Sequence, residues 1–161
     1  MLQVKEKSII EAVNKIDELD EDSLEQLSEI HVSNQEAFVG YLFSSTIDSE
    51  NEMLLELLIY YFNIFSEAIA NQKDIAMEKV TEEIIDDFQE EFLAVIEEYT
   101  ETEDADLIDT FCNQPAMLSF FLNELSMEDE AGENLDEDTV SYLFIVGVAL
   151  IGLMNRALKK A

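Results

Sequence analysis

The sequence predicts an all-α protein, a bundle of seven or eight helices in a single domain spanning residues 1–161. Only four Gly and one Pro occur in 161 residues, which is typical of helices joined by short connections. Hydrophobic residues make up 48% of the chain, so a packed core can form without a metal or disulfide. No alternating strand pattern with hairpin signals appears.

Apolar spacing and helix-capping signals divide the chain into eight predicted helices. Ser33 with Glu36, and Ser49 with Glu52, have the spacing of a capping box, which begins a helix. Pro115 suits the first turn of a helix, where its missing N–H costs little. With their caps, the predicted helices cover about residues 20–31, 33–43, 49–71, 73–100, 102–111, 115–127 and 138–159, after a first helix over 3–19.

Two of these helices are strongly apolar. Residues 53–70 include Glu56, Asn63 and Glu67 along one stripe, so we expect a core helix with one solvated edge. Residues 139–155 contain no charged side chain. A helix that is apolar all round is typical of the centre of a bundle. We therefore expect the final helix to be buried.

The final helix has an alternative interpretation as a membrane anchor. A charge-free run over residues 139–155, followed by Arg156, Lys159 and Lys160, also resembles a short C-terminal tail anchor. At the other end, Glu11 interrupts the apolar residues too early for a signal peptide. The prediction is a cytoplasmic protein, with the tail-anchored protein as the alternative.

An internal duplication is predicted from two similar segments. NQEAFVGYLFS at Asn34–Ser44 aligns with NQPAMLSFFLN at Asn113–Asn123, with Asn, Gln and Ala identical. The alternative is that any two buried helices look alike. The prediction is two similar halves, residues 1–72 and 73–161, related by a pseudo-two-fold axis. The pairs expected at equivalent buried positions are Phe38 with Met117 and Leu42 with Phe121.

The chain is extremely acidic. It has 38 Asp and Glu against 8 Lys and Arg, a formal net charge of −30. No Lys or Arg occurs between Lys79 and Arg156. Such a surface repels nucleic acid and anionic membranes through its long-range field. The sequence therefore predicts no direct nucleic-acid binding, and any macromolecular partner is expected to be basic.

The motifs of enzymes and metal proteins are missing from the sequence. His31 is the only histidine, and Ser28 stands where a di-iron Glu-x-x-His motif needs Glu. Cys112 is the only cysteine, which we expect to be a buried free thiol. The acidic segment around Gly132 does not match a Ca²⁺ loop, and no Gly-rich phosphate loop occurs. We predict no catalytic, cofactor-binding or metal-binding residue, and His31 is expected at the surface or at a helix end.

One acidic helix face is the best candidate for function. Within residues 82–91, carboxylates four residues apart repel each other, and no Lys or Arg follows Lys79 until Arg156. A solvated face that only confers solubility would look the same. The function hypotheses are a non-enzymatic interaction protein with a basic partner, a decoy or immunity-type inhibitor that imitates nucleic acid, and the tail-anchored protein. The predicted partner-binding residues are Glu82, Glu83, Asp86, Asp87, Glu90 and Glu91.

Overall fold

The computed structural model describes residues 2–47, 51–126 and 137–161. These residues form an all-α bundle, as predicted, with one short antiparallel strand pair, β1 and β2. The elements in chain order are α1 Glu6–Glu18, α2 Glu21–Asn34, α3 Glu36–Ile47, α4 Glu52–Asn71, β1 Ile75–Met77, α5 Glu82–Thr102, α6 Ala105–Cys112, α7 Pro115–Ser126, α8 Glu137–Ala157 and β2 Leu158–Lys160.

The core is built around α4 and α8, which pack against each other. Both helices are apolar on most sides, so each can be surrounded by other helices without leaving charges unsolvated. Phe62 and Phe65 of α4 and Leu150 of α8 are fully buried. The expectation that the final helix lies in the core is therefore met in this fold. The side chain of Asn51 caps α4 by accepting from the Leu54 N–H, while Ser49 lies outside the described residues.

The predicted start of the fifth helix is wrong. The sequence indicated a helix from residue 73, but residues 75–77 form β1, which pairs with β2 at the end of the chain. The helix α5 begins at Glu82, where the Thr81 side chain accepts from the Ile84 N–H. For the same reason α8 ends at Ala157 rather than at residue 159. The strand pair depends on a partner about 80 residues away, which local spacing does not reveal.

Other helix ends differ by a few residues. Ser33 does not begin a helix, because α2 continues to Asn34 and the Ser33 hydroxyl donates to the Glu29 carbonyl over 2.6 Å. The helix α6 begins at Ala105 instead of residue 102, since α5 ends with Glu103 in the left-handed conformation, φ 54°. The helix α8 is already helical at Glu137, the first described residue after the gap. The predicted acidic loop falls mostly on residues 128–136, outside the described residues.

Two buried glutamines make corresponding hydrogen bonds in the two halves of the chain. Gln35 accepts from the Val80 N–H and donates to the Glu78 carbonyl. Gln114 accepts from the Val4 N–H and donates to the Leu2 carbonyl. Each glutamine thus holds the extended segment that precedes the first helix of the other half. The predicted equivalent pairs are also buried: Phe38, Met117, Leu42 and Phe121. These features agree with an internal duplication, which remains a prediction.

Candidate interaction surface

The six predicted partner-binding residues all lie on α5 and are all exposed. Ile85, Phe88 and Phe92 turn the opposite side of the helix into the core, so the carboxylates must face solvent. We call this surface, Glu82, Glu83, Asp86, Asp87, Glu90 and Glu91, the α5 acidic face.

One member of the α5 acidic face has a basic partner that the sequence analysis missed. Arg156, in the last turn of α8, donates to the Glu91 carboxylate. Its guanidinium lies 5.0 Å from the ring centroid of Phe88 and 5.6 Å from that of Phe111. These rings fix the cation at one edge of the face. Within the described ranges, no basic side chain pairs with any of the other five carboxylates.

Farther along α5, toward its C-terminal end, α5, α7 and α8 form an apolar groove of about 780 Å³. Leu122 and Ile145 remain 39% and 40% exposed within it, although both are large apolar side chains. Leu93, one turn of α5 earlier, is 57% exposed. We call this feature the α5–α7–α8 groove. Its main apolar lining residues are Ile96, Tyr99, Leu122, Leu125, Phe144 and Ile145.

A second polar site lies under α2 and was also missed. Glu67 of α4 is only 5% exposed, so the expected solvated edge is wrong at this position. Its carboxylate accepts from Lys15, and the His31 Nε2 lies 2.8 Å from its other oxygen. His31 does occupy a helix end, but its side chain is mostly buried rather than at the surface. The signal in the sequence was Glu67 itself, the only acid in the apolar stretch of α4 after Glu56, because a carboxylate there needs partners when it is buried.

The electrostatics of Glu67 follow from these contacts. Burial raises the pKa of the Glu67 carboxyl, but hydrogen bonds from Lys15 and His31, and their charges, outweigh it and hold the pKa below its ordinary value. The neighbouring Asn63 is buried too, and its amide donates to the Ser28 hydroxyl over 3.0 Å. This cluster is an internal polar contact between α1, α2 and α4, with no open carboxylate left for chemistry.

The single cysteine is inaccessible. Cys112 is fully buried, and burial with the charge of Asp109 raises its pKa to about 12. A thiol with such a pKa is protonated at neutral pH and is a poor nucleophile. Among residues 2–47, 51–126 and 137–161, no group of three or more His, Cys, Asp or Glu side chains is placed to hold a metal ion.

Two of the described helices, α4 and α8, are long and apolar enough to cross a membrane by length and composition. Most of the apolar stretch of each is buried inside the bundle, and core helices have the same composition. Length and apolarity therefore do not distinguish an anchor from a core helix here.

Comparison with known proteins finds no counterpart: no protein-family model, curated protein or solved structure matches the chain.

Proposed function

We propose that this chain is a non-enzymatic interaction protein that binds a basic segment of a partner protein through the α5 acidic face. The observation that supports this proposal most strongly is the set of five exposed carboxylates that form no salt bridge within the part of the chain that the structure describes. Like charges at i and i+4, such as Asp86 and Glu90, destabilise a helix by a few tenths of a kcal/mol per pair. Binding of a cationic partner would neutralise these charges, which accounts for carboxylates that destabilise the helix that carries them.

The mode of binding follows from exposure and charge. Solvated carboxylates mainly attract and orient a cationic partner, so they raise the association rate more than they slow dissociation. Binding through them weakens steeply as salt screens the charges. Arg156 occupies the Glu91 end of the face, which leaves Glu82 to Glu90 for lysine and arginine side chains of the partner.

The state of the chemical groups supports a binding role over a catalytic one. The imidazole of His31 is engaged with Glu67, and the thiol of Cys112 is buried and protonated. The tail-anchored alternative would require α8 to leave the bundle and to expose Leu143, Leu150 and Leu153, which are fully buried. For this reason we favour the interaction protein.

The test compares two variants with the same change in net charge. In the first, Glu83, Asp86, Asp87 and Glu90 become the corresponding amides, which leaves the Glu91–Arg156 pair intact. The control replaces four exposed glutamates on other helices by Gln: Glu18, Glu25, Glu29 and Glu56. Each protein is immobilised, exposed to native lysate at low salt and eluted by salt steps, and the retained proteins are identified by mass spectrometry.

We expect wild type and the control to retain the same basic proteins and the α5 variant to lose them. Equal loss from both variants would mean that net charge alone retains them. Retention of the same proteins by the α5 variant would overturn the proposal. Added nucleic acid distinguishes the decoy hypothesis from a general interaction protein. If the chain imitates nucleic acid, added nucleic acid should release the retained partner by competing for its binding site.

A further inference from the structure

We infer that the α5–α7–α8 groove is a docking site for an amphipathic helix with basic residues along one flank. The inference rests on the proposed function for the basic character of the partner, and it adds the form in which the partner binds. Its basis is an apolar groove that runs directly beside a row of exposed carboxylates.

The apolar floor of the groove follows one stripe of α5. Ile96, Tyr99 and Thr100 line it at helical spacing, and Glu103 closes it one turn later. Including Leu93, the stripe extends over roughly 15 Å at a rise of 1.5 Å per residue, which matches about three turns of a ligand helix. Large apolar side chains of α7 and α8 form the opposite wall.

The acidic row lies next to this stripe on the same helix. Glu97 and Glu101 each follow a groove residue by one position, which places them about 100° round the helix from the floor. Asp86 and Glu90 precede Glu97 by eleven and seven residues, so they continue the row toward the start of α5. All four are exposed. Glu97 and Glu101 therefore border the groove, and Asp86 and Glu90 of the α5 acidic face extend the same row beyond its end, ten and six residues before the first lining residue, Ile96.

Charge decides which occupant fits. A second copy of the chain would bring another net charge of −30 to the same surface, and an anionic lipid or nucleic acid would be repelled in the same way. An amphipathic helix places apolar side chains at i, i+3, i+4 and i+7 in a groove and can hold lysines or arginines along its flank. The apolar floor and the carboxylate row match these two features.

The test uses two synthetic, fluorescently labelled peptides of about 18 residues, long enough for the three-turn groove with frayed ends. Both contain only Leu and Lys in equal numbers. In the first, Leu recurs at helical spacing, and in the second the order is scrambled so that no apolar face forms. The groove variant is Leu122→Ser with Ile145→Ser. Its control, Ile10→Ser with Ile30→Ser, removes two exposed apolar side chains from α1 and α2.

We expect the groove variant to bind the amphipathic peptide at least tenfold more weakly than wild type and to bind the scrambled peptide equally well. The control should match wild type with both peptides. Circular dichroism and melting temperature establish that the variants are folded. Ile145→Lys is a second variant, which places a cation in the groove. It should reduce the affinity for the amphipathic peptide further.

The outcomes separate this inference from the proposed function. If the groove variant binds the amphipathic peptide as tightly as wild type, the groove is not the docking site. Loss of both peptides from the α5 amide variant alone would then leave the proposed function standing. If wild type binds the amphipathic and the scrambled peptide equally tightly, the inference about the groove also fails. If the α5 amide variant binds both peptides as tightly as wild type, the proposed function is wrong.

Discussion

Glu67 shows how a single buried charge is accommodated in this bundle. Its carboxylate is surrounded by apolar helices, where an unpaired charge would be very unfavourable. Lys15 reaches it from α1 with half of its own side chain still exposed, so little of the lysine charge is desolvated. The pair therefore ties α1 to α4 at a lower desolvation cost than a fully buried pair would have.

Replacing Glu67 by Gln should lower the free energy of unfolding by about 1–3 kcal/mol at pH 7, because charge-assisted hydrogen bonds are lost. The pKa of Glu67 is lowered in the folded state from 4.5. Its stabilisation is therefore present above pH 4.5 and lost as the pH falls through the folded value. Denaturant titration should show a smaller difference in the free energy of unfolding between wild type and Glu67→Gln at about pH 3 than at about pH 7. Glu56→Gln, on the same helix but exposed, should change little at either pH, and a pH-independent loss for Glu67→Gln would contradict this account.

The two buried glutamines, Gln35 and Gln114, should contribute similarly to stability. Each side chain satisfies one backbone N–H and one carbonyl of an extended segment, and Gln114 also donates to the Asn155 side chain. Replacement of either by Ala leaves both backbone groups unpaired, and each buried unpaired group costs about 1–3 kcal/mol. We expect similar decreases of about 2–4 kcal/mol in the free energy of unfolding for both variants. The control is Gln89→Ala, an exposed position on α5. If only one of the two glutamines affects unfolding, their correspondence has no energetic meaning.

At the level of elements, the glycines of α8 allow side chains, rather than another helix backbone, to pack closely. A Cβ on Gly147 would lie 2.0 Å from the Cζ of Phe121, and one on Gly152 would lie 2.7 Å from a ring carbon of Phe111. The spacing of residues within α8 does not reveal these partners. The close approach fixes α6 and α7 against the central helix and thereby shapes the groove between α7 and α8.

Two Gly→Ala substitutions should therefore have opposite effects. Gly147→Ala forces the buried ring of Phe121 to move, and overpacking of this kind costs about 1–3 kcal/mol. Gly40 of α3 has open space around its Cβ direction, so Gly40→Ala should gain about 0.5–1 kcal/mol from better helix propensity. Thermal unfolding of the two variants shows whether each substitution raises or lowers the stability relative to wild type. A stabilised Gly147→Ala protein would mean that the contact with Phe121 is easily relaxed.

Local signals predicted the helices well and the long-range contacts poorly. Ile85, Phe88 and Phe92, the buried residues of α5, recur at helical spacing within one segment, so the exposed direction of the six carboxylates can be predicted locally. The start of α5 was missed because β1 pairs with β2, and β2 lies at the far end of the chain. No periodicity within a single helix contains that information.

The candidate site divides in the same way. The exposed face could be predicted, because charge and helical spacing both belong to one segment. The Arg156–Glu91 pair joins residues 65 positions apart, and the groove requires side chains from three helices. These features depend on the packing of α8 against α5, which the sequence pattern leaves undetermined.

At the scale of the whole molecule, the charge does not raise every carboxyl pKa. Burial, together with the charge of Asp17, raises the pKa of Glu124. By contrast, hydrogen bonds from Ser23 lower the pKa of Asp20, and one from Gln72 lowers that of Asp74. Local hydrogen bonds thus oppose the general repulsion where they are available. The repulsion itself should be most visible in the response to salt.

The net charge of −30 predicts that added NaCl stabilises the fold. Repulsion among surface carboxylates is stronger in the compact state than in the expanded chain, and salt screens it, with a Debye length of about 10 Å at 0.1 M. We expect the melting temperature to rise by a few degrees between low salt and about 0.2 M, since about 1 kcal/mol shifts the melting temperature of a domain of this size by roughly 2–4 °C.

Two variants with four fewer charges should show a smaller salt effect than wild type. They are the α5 amide variant and the control with Gln at positions Glu18, Glu25, Glu29 and Glu56. The variant that relieves the i,i+4 pairs of α5 should also start from a higher melting temperature at low salt. A melting temperature that does not change with salt in wild type would show that surface repulsion contributes little to the stability of this bundle.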